Sequence, residues 1–470
     1  MIKRKTKIVC TIGPATSSYD MLEKLYAAGM NVVRLNMSHG EHDVCADIIK
    51  AIRTLNKKVN YTIPVLLDTQ GPEIRTGQMT SDLNLQEGKE VEVVVRGADS
   101  VEESSIHIDY ADLIDAVSVG DIITVDNGLI NLEVLAKEAQ RMNCRVIDGG
   151  LLKSKKHVNL PGVRVNLPAI TEKDKADIRF GMEQEVDFIA LSFVREAEDV
   201  RELRAFLGPK AKKIKIIAKI EDQQGLTNLD EIIAEADGIM VARGDLGVEV
   251  PFYELPEIQR TIVRKCAEAG KRVIVATHLL ESMITNPMPT RAEVTDVANA
   301  VYEEVDAVML SGETTIGKHP IKCVESLDKI ARTVEASRGL RFIDKLSLDH
   351  HKQNVASSAV HLADSLKAKG IVVITRRGRM ANWVANCHPK VSAIYAFTND
   401  SRTRRQQALS RGVYAHRIDF SSEPEKTLLT AFRILLERED FSAGDRVVVI
   451  SDALAGSEGA DSIQVREVIA

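Results

Sequence analysis

A lysine and two carboxylates stand out between Lys215 and Asp245, in the runs KIIAKIED and GIMVARGDLG. Each is a short, β-branched apolar stretch ending abruptly in charge, the pattern of a fully buried strand emerging at a functional rim. Alternation along a strand puts Lys219 and Glu221 on one face, and Arg243 and Asp245 likewise. Glu221 and Asp245 on neighbouring strand ends form a hard, oxygen-rich pocket suited to Mg²⁺, with positions left open for substrate oxygens. Lys219 then faces whatever anion the metal holds. The alternative is a pair of surface ion pairs, but two charges on one strand face rarely serve packing.

The chain that must position these groups has 470 residues, enough for about three domains. It is 44% hydrophobic, 28% charged and 4% aromatic, an ordinary globular mix. Sixty-two basic residues against 68 acidic ones give a net charge of -6 with no basic stripe, which argues against nucleic acid or an anionic membrane as a general partner. No apolar run reaches the ~18 residues of a membrane span. MIKRKTKIVCTIG passes straight from basic residues into a strand, without the apolar core of a signal peptide. Six scattered cysteines without a CxxC read as reduced thiols of a cytosolic protein.

Between residues 7 and 37, KIVCTIG and NVVRLNM flank a helical stretch from Ser18 to Gly29, a βαβ unit. A helix over Asp43–Leu55 and the strand IPVLLDT follow. The alternation then stops, and residues 72–168 hold only short strands and turns, an inserted all-β domain. It resumes through DFIALSF, KIIAKIE, GIMVARG, RVIVATH and AVMLSGE, each with a helix behind it. Eight βα units indicate a (β/α)₈ barrel built from 1–71 and 169–345, with a doubly wound sheet as the alternative; no GxGxxG opens any helix. In such barrels the strand ends carry the site, so Thr11, Arg34, Asn36, Ser38, Asp68, Thr69, Lys219, Glu221, Asp245, Thr277, Ser311 and Glu313 share one rim, with the insertion over it as a lid. Residues 346–470 return to α/β as a separate doubly wound domain, with helices over Val355–Ala368, Arg379–Cys387, Arg402–Leu409 and Pro424–Glu439.

VCTIGPAT, RLNMSHG, LLDTQGPEIRTG, KHVNLPG, AKIED, MVARGDLGVE, ESMITNPMPTRAE and MLSGET together resemble pyruvate kinase, in unbroken order from residue 5 to about 325. The resemblance implies a barrel, a mobile β lid, a regulatory C-terminal domain, a homotetramer, and transfer of the phosphoryl group of phosphoenolpyruvate to ADP, giving pyruvate and ATP in the last step of glycolysis. It implies Mg²⁺, or Mn²⁺, on Glu221 and Asp245. Lys219 becomes the transition-state stabiliser, and Arg34, Gly244, Asp245 and Thr277 bind phosphoenolpyruvate. Arg34 suits a phosphate through its fork, and a threonine hydroxyl such as Thr277 can relay a proton to an enolate, though it could equally be β-branched filler.

Asn36, Ser38, Asp68 and Thr69 are a poor Mg²⁺ octahedron but suit a larger, softly held cation. The resemblance makes this the K⁺ site, with Glu73 marking the K⁺-dependent members; residue type alone also fits a hydrogen-bonded strand end. Asn36, His39, Arg75 and Lys156 are implied nucleotide contacts, although Lys156 in KSKK reads on its own as a solvated charge run and His39 as a turn residue. Three positions depart from the family pattern: His278 replaces a glutamine, Asn127 the second aspartate of VDDG, and Gln70 a frequent lysine. In TRRGRM, Thr375, Arg376, Arg377 and Arg379 at a helix start suit a phosphate, or else form an exposed basic turn. With Glu458 and Asp461 in the later loop opposing a second phosphate, they lead to an expected sugar-monophosphate activator. The rival activities are a Mg²⁺-dependent lyase acting on pyruvate enolates, which would need no lid and no ADP, and a catalytically silent sugar-phosphate sensor.

Overall fold

The computed structural model describes residues 3–79, 81–95, 105–163, 165–348, 350–451 and 462–469. Eight parallel strands close into a barrel: Lys7–Thr11, Val32–Asn36, Val65–Asp68, Phe188–Leu191, Lys215–Ile220, Gly238–Ala242, Arg272–Ala276 and Ala307–Leu310. The runs are apolar without alternation because both strand faces are covered, by the barrel interior on one side and helices on the other. Helix Pro320–Val334 shows how a helix is made to fit. Proline opens it where no N–H partner is required, and Cys323, Val324, Leu327, Ala331 and Val334 form its buried stripe. Helix Glu172–Glu183 begins with a Thr171–Asp174 capping box. The same Asp174 accepts the amides of Gln70 and Gly71 at 3.0 and 3.1 Å, which ties the chain leaving the third strand to the barrel just before the lid begins.

Inserted after the third strand is an antiparallel-rich body with a seven-stranded sheet and a two-stranded one. Its strands alternate: in Arg141–Asp148, Met142, Cys144 and Val146 point into a separate hydrophobic core. It also holds a one-turn helix, Leu113–Ala116, where no helix was expected. Its strand His157–Asn159 pairs with Ile74–Arg75, so the two junctions with the barrel lie side by side.

The C-terminal sheet runs Val413–Arg417, Ala393–Thr398, Gly370–Ile374, Arg446–Ser451, Ser462–Glu467, with the last strand antiparallel and helices on both faces. Two helix expectations need correction. The first helix starts at His351 rather than Val355, because His350 and Gln353 form a capping box that histidine does not advertise. The helix expected over Arg402–Leu409 spans only Ser401–Gln406 and tightens into a 3₁₀ turn, Gln407–Leu409. That turn drives Leu409 into the floor of the barrel, where it joins Val9, Val32, Ile217, Met240 and Ile274 in one buried cluster. Around it Arg272 donates to Ser410 Oγ at 2.8 Å, Arg405 to Asp187 at 2.9 Å, and Lys7 to the Val413 carbonyl at 2.7 Å. The barrel is thus plugged from below by the C-terminal domain. Leu409→Ala should lower the unfolding free energy by about 2–5 kcal/mol, the range for emptying a packed leucine site, as read by denaturant titration of the full chain.

Candidate active site

The fifth strand delivers Lys219 to the upper end of the barrel, where its ammonium lies 3.0 Å from both Asp68 Oδ1 and Glu221 Oε1. It also donates to Ser192 Oγ at 2.6 Å. Burial alone would discharge this lysine; the two carboxylates outweigh it and raise its pKa. Asp68 is fully buried, which opposes its charge, but Arg34 and Lys219 prevail and hold it below the usual carboxylate range. Arg34, one strand over, donates through Nε to Asp68 Oδ2 at 2.6 Å and through Nη1 to Thr11 Oγ1 at 2.9 Å. Glu221 is pushed up by burial despite Lys219, and Asp245 adds to the push. The Phe193 amide donates to it at 2.6 Å, aimed by a left-handed Phe193 with φ 49°.

Arg243 and Asp245 do not share a strand face. The sixth strand stops at Ala242 and the chain turns directly into a short helix, Arg243–Glu249. At 100° per residue, side chains two apart diverge. Arg243 is buried away from the pocket on Asp296, at 2.7 Å, and on the Thr277 carbonyl. Asp245 turns to the rim, with His157 of the lid 3.9 Å from it. Gly244 donates its amide to Thr277 Oγ1 at 2.8 Å, and the same hydroxyl donates to the Ala276 carbonyl at 2.6 Å. Thr277 and His278 both have positive φ, 67° and 54°, costly for residues with a Cβ and concentrated here as strain is at functional sites. His278 is exposed and reaches toward Glu281, at 3.6 Å.

No ligand accompanies the chain, so the fit of a metal rests on the donors. Arg34 and Lys219 oppose Asp68, Glu221 and Asp245: two positive charges against three negative. With Glu221 ionised the set carries one negative charge in excess, which would repel an anion and which a divalent cation would reverse. Glu221, buried and electrostatically strained by Asp245, is a carboxylate that such an ion would relieve. For a larger cation the oxygens are mostly neutral. Asn36 and Asp68 lie in register on adjacent strands, and Asn36 Oδ1 accepts the Ser38 amide at 3.2 Å. Thr69 Oγ1 accepts the Ser192 amide at 3.1 Å, and the Thr69 carbonyl accepts the Ser192 hydroxyl at 2.7 Å. Both Asp68 oxygens are already engaged by Arg34 and Lys219. Glu73 bonds to Arg75, through Nε at 2.7 Å, and to Gln70 at 3.3 Å rather than facing this group.

Arg75 also reaches the Lys155 carbonyl, and Lys156 pairs with Asp126 at 2.8 Å. Asn127, where the family pattern has aspartate, has φ 57°, a conformation asparagine tolerates better than most residues. His39 is exposed in the turn after Asn36. Glu313 is turned inward, accepting the amides of Ser311 and Leu280 at 2.7 and 3.0 Å. Ser192 has no mark in the sequence, since it follows the apolar run FIAL and resembles a strand end. Its hydroxyl links Lys219 to the Thr69 carbonyl, so Ser192→Ala should lower turnover about tenfold, the value of one hydrogen bond to a charged group, with thermal unfolding shifted by only a few degrees.

The barrel-domain profile of pyruvate kinase matches residues 3–324, and the profile of its alpha/beta domain matches residues 353–466. A pyruvate kinase of Geobacillus stearothermophilus is 45% identical over 476 residues, covering 100% of this chain and 81% of that protein. One from Staphylococcus epidermidis is 44% identical, covering 97% and 79%. The plastidial pyruvate kinase 3 of Arabidopsis thaliana, named as chloroplastic, is 42% identical, covering 99% and 82%. Profiles over both α/β bodies, and relatives that match this chain nearly end to end, agree with the barrel and its rim: the chain belongs to the pyruvate kinase family.

Proposed function

We propose that this chain transfers the phosphoryl group of phosphoenolpyruvate to ADP, giving pyruvate and ATP as the closing step of glycolysis in the cytoplasm. The observation that carries this reading is the buried Lys219 held between Asp68 and Glu221 with Arg34 beside it, a fixed positive pair at the mouth of a barrel. Phosphoryl transfer asks the protein for positioning and charge neutralisation more than for covalent chemistry. The reaction joins a β-phosphate oxygen of ADP to the phosphorus and breaks its bond to the enol oxygen. Arg34 grips the phosphoryl oxygens, and Lys219 neutralises them and then the enolate left behind. Glu221 and Asp245 would hold Mg²⁺ or Mn²⁺, which would supply positive charge against the substrate's anionic oxygens.

Asn36, Ser38, Asp68 and Thr69 would hold K⁺ through mainly neutral oxygens. Gly244 would cradle the substrate carboxylate with its backbone, and the Thr277 hydroxyl must leave the Ala276 carbonyl to deliver a proton to the enolate carbon. Arg75 and Lys156 take the nucleotide phosphates by exchanging their contacts to Glu73 and Asp126 for phosphate; Asn36 and His39 complete that pocket. Among the described residues no helix is long and apolar enough to cross a membrane. A homotetramer is supported by Phe252, Tyr253 and Met288, large apolar side chains exposed on the segments that follow the sixth and seventh strands, where a second copy would cover them.

The regulatory reading has support in a crevice of about 720 Å³ where Arg376, Arg377 and Arg379 meet Lys212 and Lys213 of the barrel. Thr375 is buried at the base of that loop; Glu458 and Asp461 lie outside the described residues.

Pyruvate formation from phosphoenolpyruvate should require ADP, Mg²⁺ and K⁺ together; formation without ADP would favour the lyase. Lys219→Met should reduce turnover by about 10²–10³-fold, the loss typical of one preorganised electrostatic donor, while Mg²⁺ still raises the melting temperature. Sugar monophosphates should shift the phosphoenolpyruvate saturation curve to lower concentration. A shift produced by fructose 1,6-bisphosphate alone would overturn that assignment.

A further inference from the structure

The short helix Arg243–Glu249 carries a second acid, Glu249, which the chemistry above does not use. Asp245 and Glu249 are four residues apart, so they lie on one side of the helix, about 6 Å along its axis. Opposite them runs the last lid strand, His157–Asn159, whose residues 157 and 159 share a face at about 6.6 Å spacing. The two spacings match. His157 Nδ1 lies 3.9 Å from Asp245 Oδ1, and Asn159 Nδ2 donates to Glu249 Oε1 at 2.8 Å. Val158, between them, turns into the lid core.

The Asn159–Glu249 bond is buried: Asn159 is 5% exposed and Glu249 9%. Gln223 fixes the backbone of Glu249 by donating to its carbonyl. Burial pushes the Glu249 carboxyl up to about 7, and Asn159 Oδ1 has no hydrogen-bond partner among the described residues. A carboxylate and an amide held out of water this way are expensive as packing, where two apolar side chains would serve. The pair borders a cavity of about 430 Å³ between lid and barrel, lined also by Phe193 and Arg195, so the lid has room to swing about this point. The same strand is preceded by Lys156, and His157 is paired in register with Arg75.

We propose that Glu249 is a positioning residue: through Asn159 it latches the last lid strand onto the helix that bears Asp245, and so sets Arg75 and Lys156 at the distance from the metal carboxylates that the nucleotide phosphates require. The latch rests on the reading that those two lid residues meet ADP.

The test is a swap of donor and acceptor in the full-length enzyme, with Mg²⁺ and K⁺ saturating. Asn159→Asp sets two carboxylates against each other and should raise the KM for ADP about tenfold while the KM for phosphoenolpyruvate stays within about twofold. Glu249→Gln keeps an acceptor for Asn159 and offers a donor to its idle oxygen, so it should leave the KM for ADP within about twofold. The double variant N159D/E249Q restores a donor–acceptor pair in reverse and should bring the KM for ADP back. Amide hydrogen exchange at residues 156–159, measured without substrates, should rise in N159D and return to the original level in the double variant. Equal effects on both substrates, or no rescue in either readout, would reduce the pair to packing and overturn the latch. If the unaltered chain forms no pyruvate with ADP, the proposed reaction fails instead, and the exchange experiment still decides the latch.

Discussion

Everything at the rim is arranged around a lysine that should not be able to stay charged. An isolated ammonium buried to the extent of Lys219 would lose its proton; Asp68 and Glu221, each 3.0 Å away, reverse that outcome. The carboxylates are no better placed alone: Asp68 is kept ionised by Arg34 and Lys219, while Glu221 remains strained. The set is stable only as a set, since removing Lys219 or Arg34 leaves buried carboxylates uncompensated. With Glu221 ionised it also carries one negative charge in excess. A group whose parts balance one another that narrowly responds strongly to an arriving cation, and through it to an arriving phosphate.

Such a balance needs atoms fixed to a few tenths of an ångström, and the barrel supplies that from both ends. Parallel pairing puts Thr11 beside Arg34 and Asn36 beside Asp68, so register alone brings the charged side chains together. From below, Leu409 fills the barrel floor, and Arg405, Lys7 and Arg272 tie the C-terminal domain to strand beginnings. The strands that end in Arg34, Asp68 and Lys219 are therefore continuous, through one packed core, with the domain that carries the basic crevice. A rigid column of this kind is the physical link that an effector would need.

Much of this was legible in the residues. Eight β-branched runs, each ending in polar groups, identify the strands and the rim, and the placement of Lys219 beside Glu221 follows from alternation alone. Alternation failed where the strand itself failed. Arg243 and Asp245 were read as strand neighbours because GIMVARGDLG contains no break, yet the chain becomes helical at Arg243. Ser192 and Asn159 were passed over because a serine after FIAL and an asparagine in KHVNLPG have no local feature to mark them. Their partners are 27 and 90 residues away. Leu409 was hidden likewise: only the three-dimensional contact of two domains makes a helix stop early to insert one leucine.

That early turn into helix at Arg243 also explains why one short segment can serve four neighbours. A strand would have offered the rim only alternate residues, and every outward one would have faced the same direction. Seven helical residues distribute their groups around an axis instead. Arg243 points back to Asp296 and anchors the turn, and Gly244 presents an amide to Thr277. Asp245 faces the ammonium pocket, and Glu249 faces the lid. The anchor is the strongest of these contacts, a buried guanidinium with a carboxylate at 2.7 Å and two backbone carbonyls. With Arg243 held, Asp245 keeps its place at the ammonium pocket while Glu249, one turn further on, meets Asn159, so the lid strand docks on a helix whose start is fixed.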